Sequence, residues 1–98
     1  MARYVLTPAA RDDLLEIADY IAADDPTAAS RVLRRVRKAC RLLGRMPGAG
    51  HLREDVADAS VRFWPVGSLL IVYRAATRNV EVLRVLSGAR NVGAVLED

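Results

Sequence analysis

The chain of 98 residues predicts an α+β domain in which an antiparallel helix hairpin packs on one four-stranded sheet, in the order β-α-α-β-β-β. Three observations carry this. Two cap-plus-proline signals, Thr7-Pro8 and Asp25-Pro26, each open a stretch with helical apolar spacing. The second half holds three strand-length runs separated by short turns. A 52% hydrophobic content is enough to bury one core, and the length is too short for two, so residues 1–98 read as a single domain.

Residues 3–7, "RYVLT", are rich in strand formers and run directly into the first cap. In "PAARDDLLEIADYIAADD", Leu14, Ile17, Ala18 and Ile21 recur at i, i+3, i+4 and i+7, which sets one stripe toward a core. Asp12, Asp13, Glu16 and Asp19 occupy the other face. In the second helix Ala29, Val32, Val36, Cys40 and Leu43 repeat every three or four residues until Gly44 and Pro47 stop it. "PGAGHLREDVADAS" has no period and reads as a loop. "VRFWPV", "SLLIVYRA" and "NVEVLRVLS" follow, with Gly67-Ser68 and Thr77-Arg78-Asn79 as turns, and form an antiparallel meander. Beyond Gly88 the apolar residues Val92, Val95 and Leu96 suffice for one turn of helix folded back on the sheet.

Strict alternation in the last strand would place Val80, Val82, Arg84 and Leu86 on one side and Glu81, Leu83, Val85 and Ser87 on the other. Neither side is then plainly solvated, although a helix hairpin covers only one face. The second face is expected to meet the tail, another chain, or both.

Composition narrows the function. The single cysteine, Cys40, excludes an internal disulfide and a thiolate metal cage, and suggests a reducing cytosol. The longest apolar run, "LLIVY", falls far short of the roughly 18 residues that span a bilayer. Net charge is +3, and all but one of the 15 basic residues are arginine, the side chain suited to forked contacts with carboxylate or phosphate. From residue 26 to residue 53 there is no acid, against Arg31, Arg34, Arg35, Arg37, Lys38, Arg41, Arg45 and Arg53, whereas the first 25 residues are acidic. Helix two is therefore either a solvated basic face or a docking surface for an acidic peptide or nucleic acid. The absence of aromatic residues from this stretch argues against single-stranded nucleic acid.

The only histidine, His51, lies in the Gly-rich loop and reads as an ordinary solvated residue. Phe63 and Trp64 are adjacent on a strand and so face opposite ways, one of them toward the core. Tyr73, mid-strand, reads as a packed residue with a satisfied hydroxyl. Arg62, Arg74 and Arg84 interrupt otherwise apolar strands, where an arginine must snorkel, be paired, or be used. No phosphate-cradling glycine loop, nucleophile elbow or metal-ligand set is present in the sequence, and no cofactor is expected.

"YVLTPAARDDLLEIADYIA", "RMPGAGHLREDV", "RFWPVGSLLIVYR" and "VEVLRVLSGARN" resemble, in order and spacing, the successive blocks of the ParE branch of the RelE/ParE toxin superfamily. The resemblance covers nearly the whole chain. It implies a cytoplasmic toxin, neutralised by a ParD-like antitoxin of the ribbon-helix-helix class in a higher-order assembly that touches DNA only through the antitoxin. ParE-type members inhibit DNA gyrase; RelE-type relatives, the alternative, cut messenger RNA on the ribosome. RNA cleavage by 2′-hydroxyl attack needs groups that move protons, and arginine, permanently protonated, is not one. Where ParE-like chains commonly carry histidine after the last strand, this sequence has Ser87; the lysines and the C-terminal tyrosine or histidine of RelE-like nucleases are missing too. After Tyr73 there is no Tyr, His, Lys or Cys. The reading is a toxin that acts by binding. Arg90, Arg84, Arg74, Arg62 and Ser87 are the candidates for the target contact, and Arg31, Arg34, Arg35, Leu14 and Ile17 for the antitoxin contact. A family member kept only as a binding protein would instead be harmless when expressed alone.

Overall fold

The computed structural model describes residues 3–53, 55 and 58–87. Its elements are β1 (Tyr4–Leu6), α1 (Pro8–Ala22), α2 (Pro26–Arg45), a 3-10 turn (Pro47–Ala49), β2 (Val61–Val66), β3 (Leu69–Ala75) and β4 (Val80–Ser87). This is the expected α+β order. The sheet runs β1-β4-β3-β2, with an antiparallel β2–β3–β4 meander and β1 lying parallel to β4.

Both caps form. Thr7 Oγ1 accepts the Ala10 N–H at 3.1 Å, and Asp25 Oδ1 accepts the N–H groups of Thr27 and Ala28. Each such cap stabilises its helix by about 1 kcal/mol. Thr7 also binds the sheet, donating its N–H to Val82 O at 3.0 Å and its hydroxyl to Leu83 O at 2.8 Å. The strand-to-helix junction thus continues along the edge of β4 where β1 stops.

The main core lies between the helices and one face of the sheet. Leu14, Val36, Cys40 and Leu43 pack there against Ile71, Tyr73, Val80, Val82 and Val85. On α2 the predicted stripe holds, with Ala29, Val36, Cys40 and Leu43 buried and Val32 packed at the margin. Gly44 does not stop the helix. It sits inside α2, where a Cβ would stand 2.7 Å from both the backbone N and O of Arg3, so glycine is there because the helix rides directly on the chain entering β1.

Strict alternation along β4 fails. Tyr73 pairs with Val82 but Val72 pairs with Arg84, so Leu83 is an extra residue in the ladder. The bulge turns Val85 into the main core with Val80 and Val82, and puts Leu83 and Leu86 with Val61, Phe63 and Val72 in a second cluster. Phe63 and Trp64 divide as expected, Phe63 into the second cluster and Trp64 against the main core. The loop before β2 contributes to the second face: His51 pairs with Phe63 through the backbone, and the Arg53 guanidinium lies 5.4 Å from the centre of the Phe63 ring. The tail expected on that face lies outside the described residues.

Burial at 1% exposure pushes the Cys40 thiol up to about 11 from its ordinary 9.0. The folded state holds the neutral thiol, so its contribution is complete below pH 9 and is lost as pH rises toward 11. Cys40 is therefore expected to resist thiol reagents at pH 8 until the chain unfolds, which timed labelling in rising urea would measure.

Candidate docking surfaces

The arginines within the strands are each engaged, and in different places. Arg62 donates from Nη1 to the carbonyl of Gly50 at 3.0 Å, beside its cross-strand neighbour Tyr73. Tyr73 is fully buried; its hydroxyl donates to Pro47 O at 2.7 Å and accepts the Gly50 N–H at 2.7 Å. Arg62 and Tyr73 together clamp the 3-10 turn onto the sheet. Burial pushes the Tyr73 phenol above its ordinary value, partly offset by the Gly50 hydrogen bond. Arg74 pairs at 3.0 Å with Glu81, directly across the ladder on β4, a half-exposed contact of small energetic weight.

Arg84 is held by an acid that periodicity had set on the solvent face of α1. Asp13 is only 9% exposed. Its carboxylate takes a two-pronged contact from Arg84, Nε to Oδ2 at 2.7 Å and Nη2 to Oδ1 at 2.9 Å, and Oδ2 also accepts the Val85 N–H at 2.9 Å. Donating to the Asp13 carboxylate raises the Arg84 guanidinium further above its ordinary value. This fixes α1 to the far end of β4. The sequence signal was Arg84 itself, a cation in an apolar strand with no evident partner.

Among the described residues, three of the concavities beside α1 and α2 are wide enough to matter for docking. A cleft of about 270 Å³ between α1, α2 and β1 is lined by Tyr4, Leu6, Leu14, Leu33 and Val36, with Leu15, Arg11 and Arg37 also on its wall. Leu15 is 58% exposed there, and Val5 on the adjoining strand 45%. A second cleft of about 360 Å³ lies at the end of β4, between Ile17, Tyr20 and Ile21 of α1 and Ser68, Leu69 and Ser87 of the sheet, with Asp13 and Glu16. A third groove separates α2 from β2.

These surfaces sort the candidate residues. Leu14 and Ile17 fall in different clefts, Arg31 and Arg34 stand exposed on the outer side of α2, and Arg35 reaches the third groove. Arg62 and Arg74 do not converge with Arg84, Ser87 ends β4 beside the second cleft, and Arg90 lies outside the described residues. Arg11 and Arg37, absent from the sequence-derived set, flank the most apolar cleft because α1 and α2 bring them there. Among the described residues no cluster of three or more His, Cys, Asp or Glu side chains could hold a metal ion, and no helix is long and apolar enough to cross a membrane.

Comparison with known proteins agrees with this architecture. A solved structure described as the chromosomal ParDE TA system from P. aeruginosa superposes with a TM-score of 0.73 at 20% identity, covering 91% of this chain and 98% of that one, a likeness of fold. No curated protein sequence matches the chain. The family model for the ParE toxin of type II toxin-antitoxin system, parDE, matches residues 4–92. With strand, capped helix hairpin and meander in the order that model spans, the chain belongs to the ParE toxin family.

Proposed function

We propose that the protein inhibits DNA gyrase by binding it, with no chemistry of its own, and that a cytoplasmic ParD-like antitoxin of the ribbon-helix-helix class neutralises it. The observation that carries this reading is the state of Tyr73. It is the last side chain in the sequence that could serve as a phenolic, imidazole, amine or thiol proton carrier, and its hydroxyl is buried with both donor and acceptor roles taken by Pro47 and Gly50. Proton transfer in 2′-hydroxyl attack requires a group within hydrogen-bond reach of substrate, and a sequestered phenol with a raised pKa does not meet that demand. His51 is exposed on the loop before β2, and no acid or base among the described residues is hydrogen-bonded to it.

The end of β4 is the proposed target contact. Asp13 and Arg84 fix its position, Ser87 closes it beside an open apolar cleft, and Arg90 follows directly in sequence. The antitoxin reading rests on the cleft between α1, α2 and β1: its apolar floor suits the alternate side chains of an extended segment, and Arg11 and Arg37 suit acids on that segment.

Full-length protein added in excess to a gyrase supercoiling reaction is expected to abolish supercoiling. Unimpaired supercoiling, or cleaved transcripts in a translating extract, would overturn the reading. For the antitoxin, charge reversal at Arg11 and Arg37 is expected to weaken binding more than tenfold in a titration at moderate salt, and reversal at Arg31, Arg34 and Arg35 much less. The opposite ranking would move the contact to the outer side of α2.

A further inference from the structure

The basic residues of α2 are not scattered. At 3.6 residues per turn Arg31, Arg34, Arg35, Lys38, Arg41 and Arg45 fall within about a third of the helix circumference, opposite the buried Val36 and Leu43. All six are exposed. They form a row about 21 Å long, at 1.5 Å per residue. Among the described residues the ion pairs involve Arg53, Arg74 and Arg84, and none involves this row.

The sequence supplies no aromatic residue on this stretch, but the fold brings one to it. Trp64, on β2, stands beside the row and joins Arg35, Lys38 and Arg45 in lining a groove of about 420 Å³, with Pro65 and Gly67 on the sheet side. Trp64 is half-buried and packed on the main core, which fixes its place. The β2–β3 turn is kept small at the groove's edge. Gly67 has φ +58, and the Arg35 guanidinium lies 3.4 Å from where a Cβ would stand on it.

A fixed indole flanked by unpaired cations is the arrangement that holds a base on its face and the neighbouring phosphates on either side. Duplex DNA keeps its base faces stacked inside and has none to offer Trp64. An acidic peptide offers only exposed carboxylate–arginine pairs, which contribute little, whereas a phosphate chain also gains from counterion release. We infer that the groove between α2 and β2 binds single-stranded nucleic acid, with one base on Trp64, phosphates on Arg35, Lys38 and Arg45, and the strand continuing along the remaining arginines of α2. The groove shares no lining residue with the cleft at the end of β4, so this site is tested independently of gyrase inhibition.

Trp64 is the only tryptophan, which makes its fluorescence a direct report on the groove. Full-length protein would be titrated with fluorescein-labelled dT12 and rU12, following anisotropy and tryptophan emission from low to moderate salt. The expected result is binding accompanied by tryptophan quenching, with a slope of log K against log salt of about −2 to −4, corresponding to three to six phosphate contacts. Quenching by either sugar supports the site, and the tighter of the two names its preferred strand. The exposed double variant Lys38→Glu with Arg45→Glu is expected to lose at least thirtyfold in affinity while its circular dichroism is unchanged. Absence of quenching, unchanged affinity in the double variant, or equal competition by a twelve-base-pair duplex or an oligoglutamate peptide would overturn the proposal.

Discussion

Asp13→Ala is expected to lower the free energy of unfolding by about 3–5 kcal/mol, the cost of leaving a buried charge and its hydrogen bonds without a partner. The carboxylate accepts from Arg84 Nε, Arg84 Nη2 and the Val85 N–H, and it joins α1 to β4 across 71 residues of chain. Alanine at this position leaves the Arg84 side chain, three-quarters covered by the fold, without its two-pronged partner. It also orphans an edge N–H of β4, which β1 is too short to reach. For a domain of this size such a loss is about a fifth or more of the total stability. Urea unfolding followed by circular dichroism would show it as a shifted midpoint. Replacing both partners, Asp13→Leu with Arg84→Met, is expected to cost less than Asp13→Ala alone, because no charge is then stranded. An unshifted midpoint for Asp13→Ala would remove the pair as the fastening between the layers. The same fastening sets the position of Ser87, so Asp13→Ala protein that remains folded at low temperature is expected to lose gyrase inhibition in proportion to the disorder it introduces at the end of β4.

Tyr73→Phe separates architecture from chemistry. Removing the hydroxyl strands the Gly50 N–H and the Pro47 carbonyl beneath the turn, at a cost of about 1–3 kcal/mol. A water cannot easily replace it, since Gly50 already lies so close to the ring that a Cβ there would overlap the tyrosine side chain. In thermal unfolding the variant is expected to melt several degrees lower. In the supercoiling assay, below its melting range, it is expected to inhibit gyrase as the unaltered chain does. Full stability would refute the clamp; loss of inhibition in folded protein would refute the non-catalytic reading. The raised phenol also has a pH consequence: its stabilisation is complete below pH 10.0, the ordinary value, and declines as pH climbs past it, reinforcing the alkaline loss from Cys40.

Much of the fold was legible because its determinants are local. Thr7-Pro8 and Asp25-Pro26 specify where helices begin whatever lies around them, and the spacing Ala29, Val36, Cys40, Leu43 selects a buried stripe from the geometry of one helix. The turns at Gly67-Ser68 and Thr77-Asn79 follow from the same kind of short-range chemistry. Gly44 and Asp13 show where local reading stops. Gly44 looked like a helix terminator, yet what demands glycine is the backbone of Arg3, far away in sequence. Asp13 occupied a polar position on the helical wheel, yet that position faces the uncovered edge of β4.

The candidate sites were less legible for the same reason. Strand parity could not say whether the arginines of the meander converge; in the fold Arg62 bonds a turn, Arg74 bonds Glu81 and Arg84 bonds Asp13, each on a different part of the sheet. Strand parity could not have placed Arg84 or Val85, because the bulge at Leu83 arises from pairing with β3 and from the Thr7 bonds along the edge. Trp64 beside Lys38 joins residues from two elements that no spacing rule relates.

Taken alone, the sequence determined the element order, the helix starts, the main core stripe and the supply of permanent positive charge with few proton carriers. Those are properties of composition and of neighbours along the chain. Tertiary structure decided which cations are consumed internally and which are left to meet a partner, because pairing Arg84 with Asp13 or setting Trp64 among Lys38 and Arg45 depends on how a helix seats on a sheet, a choice made by packing between residues distant in sequence.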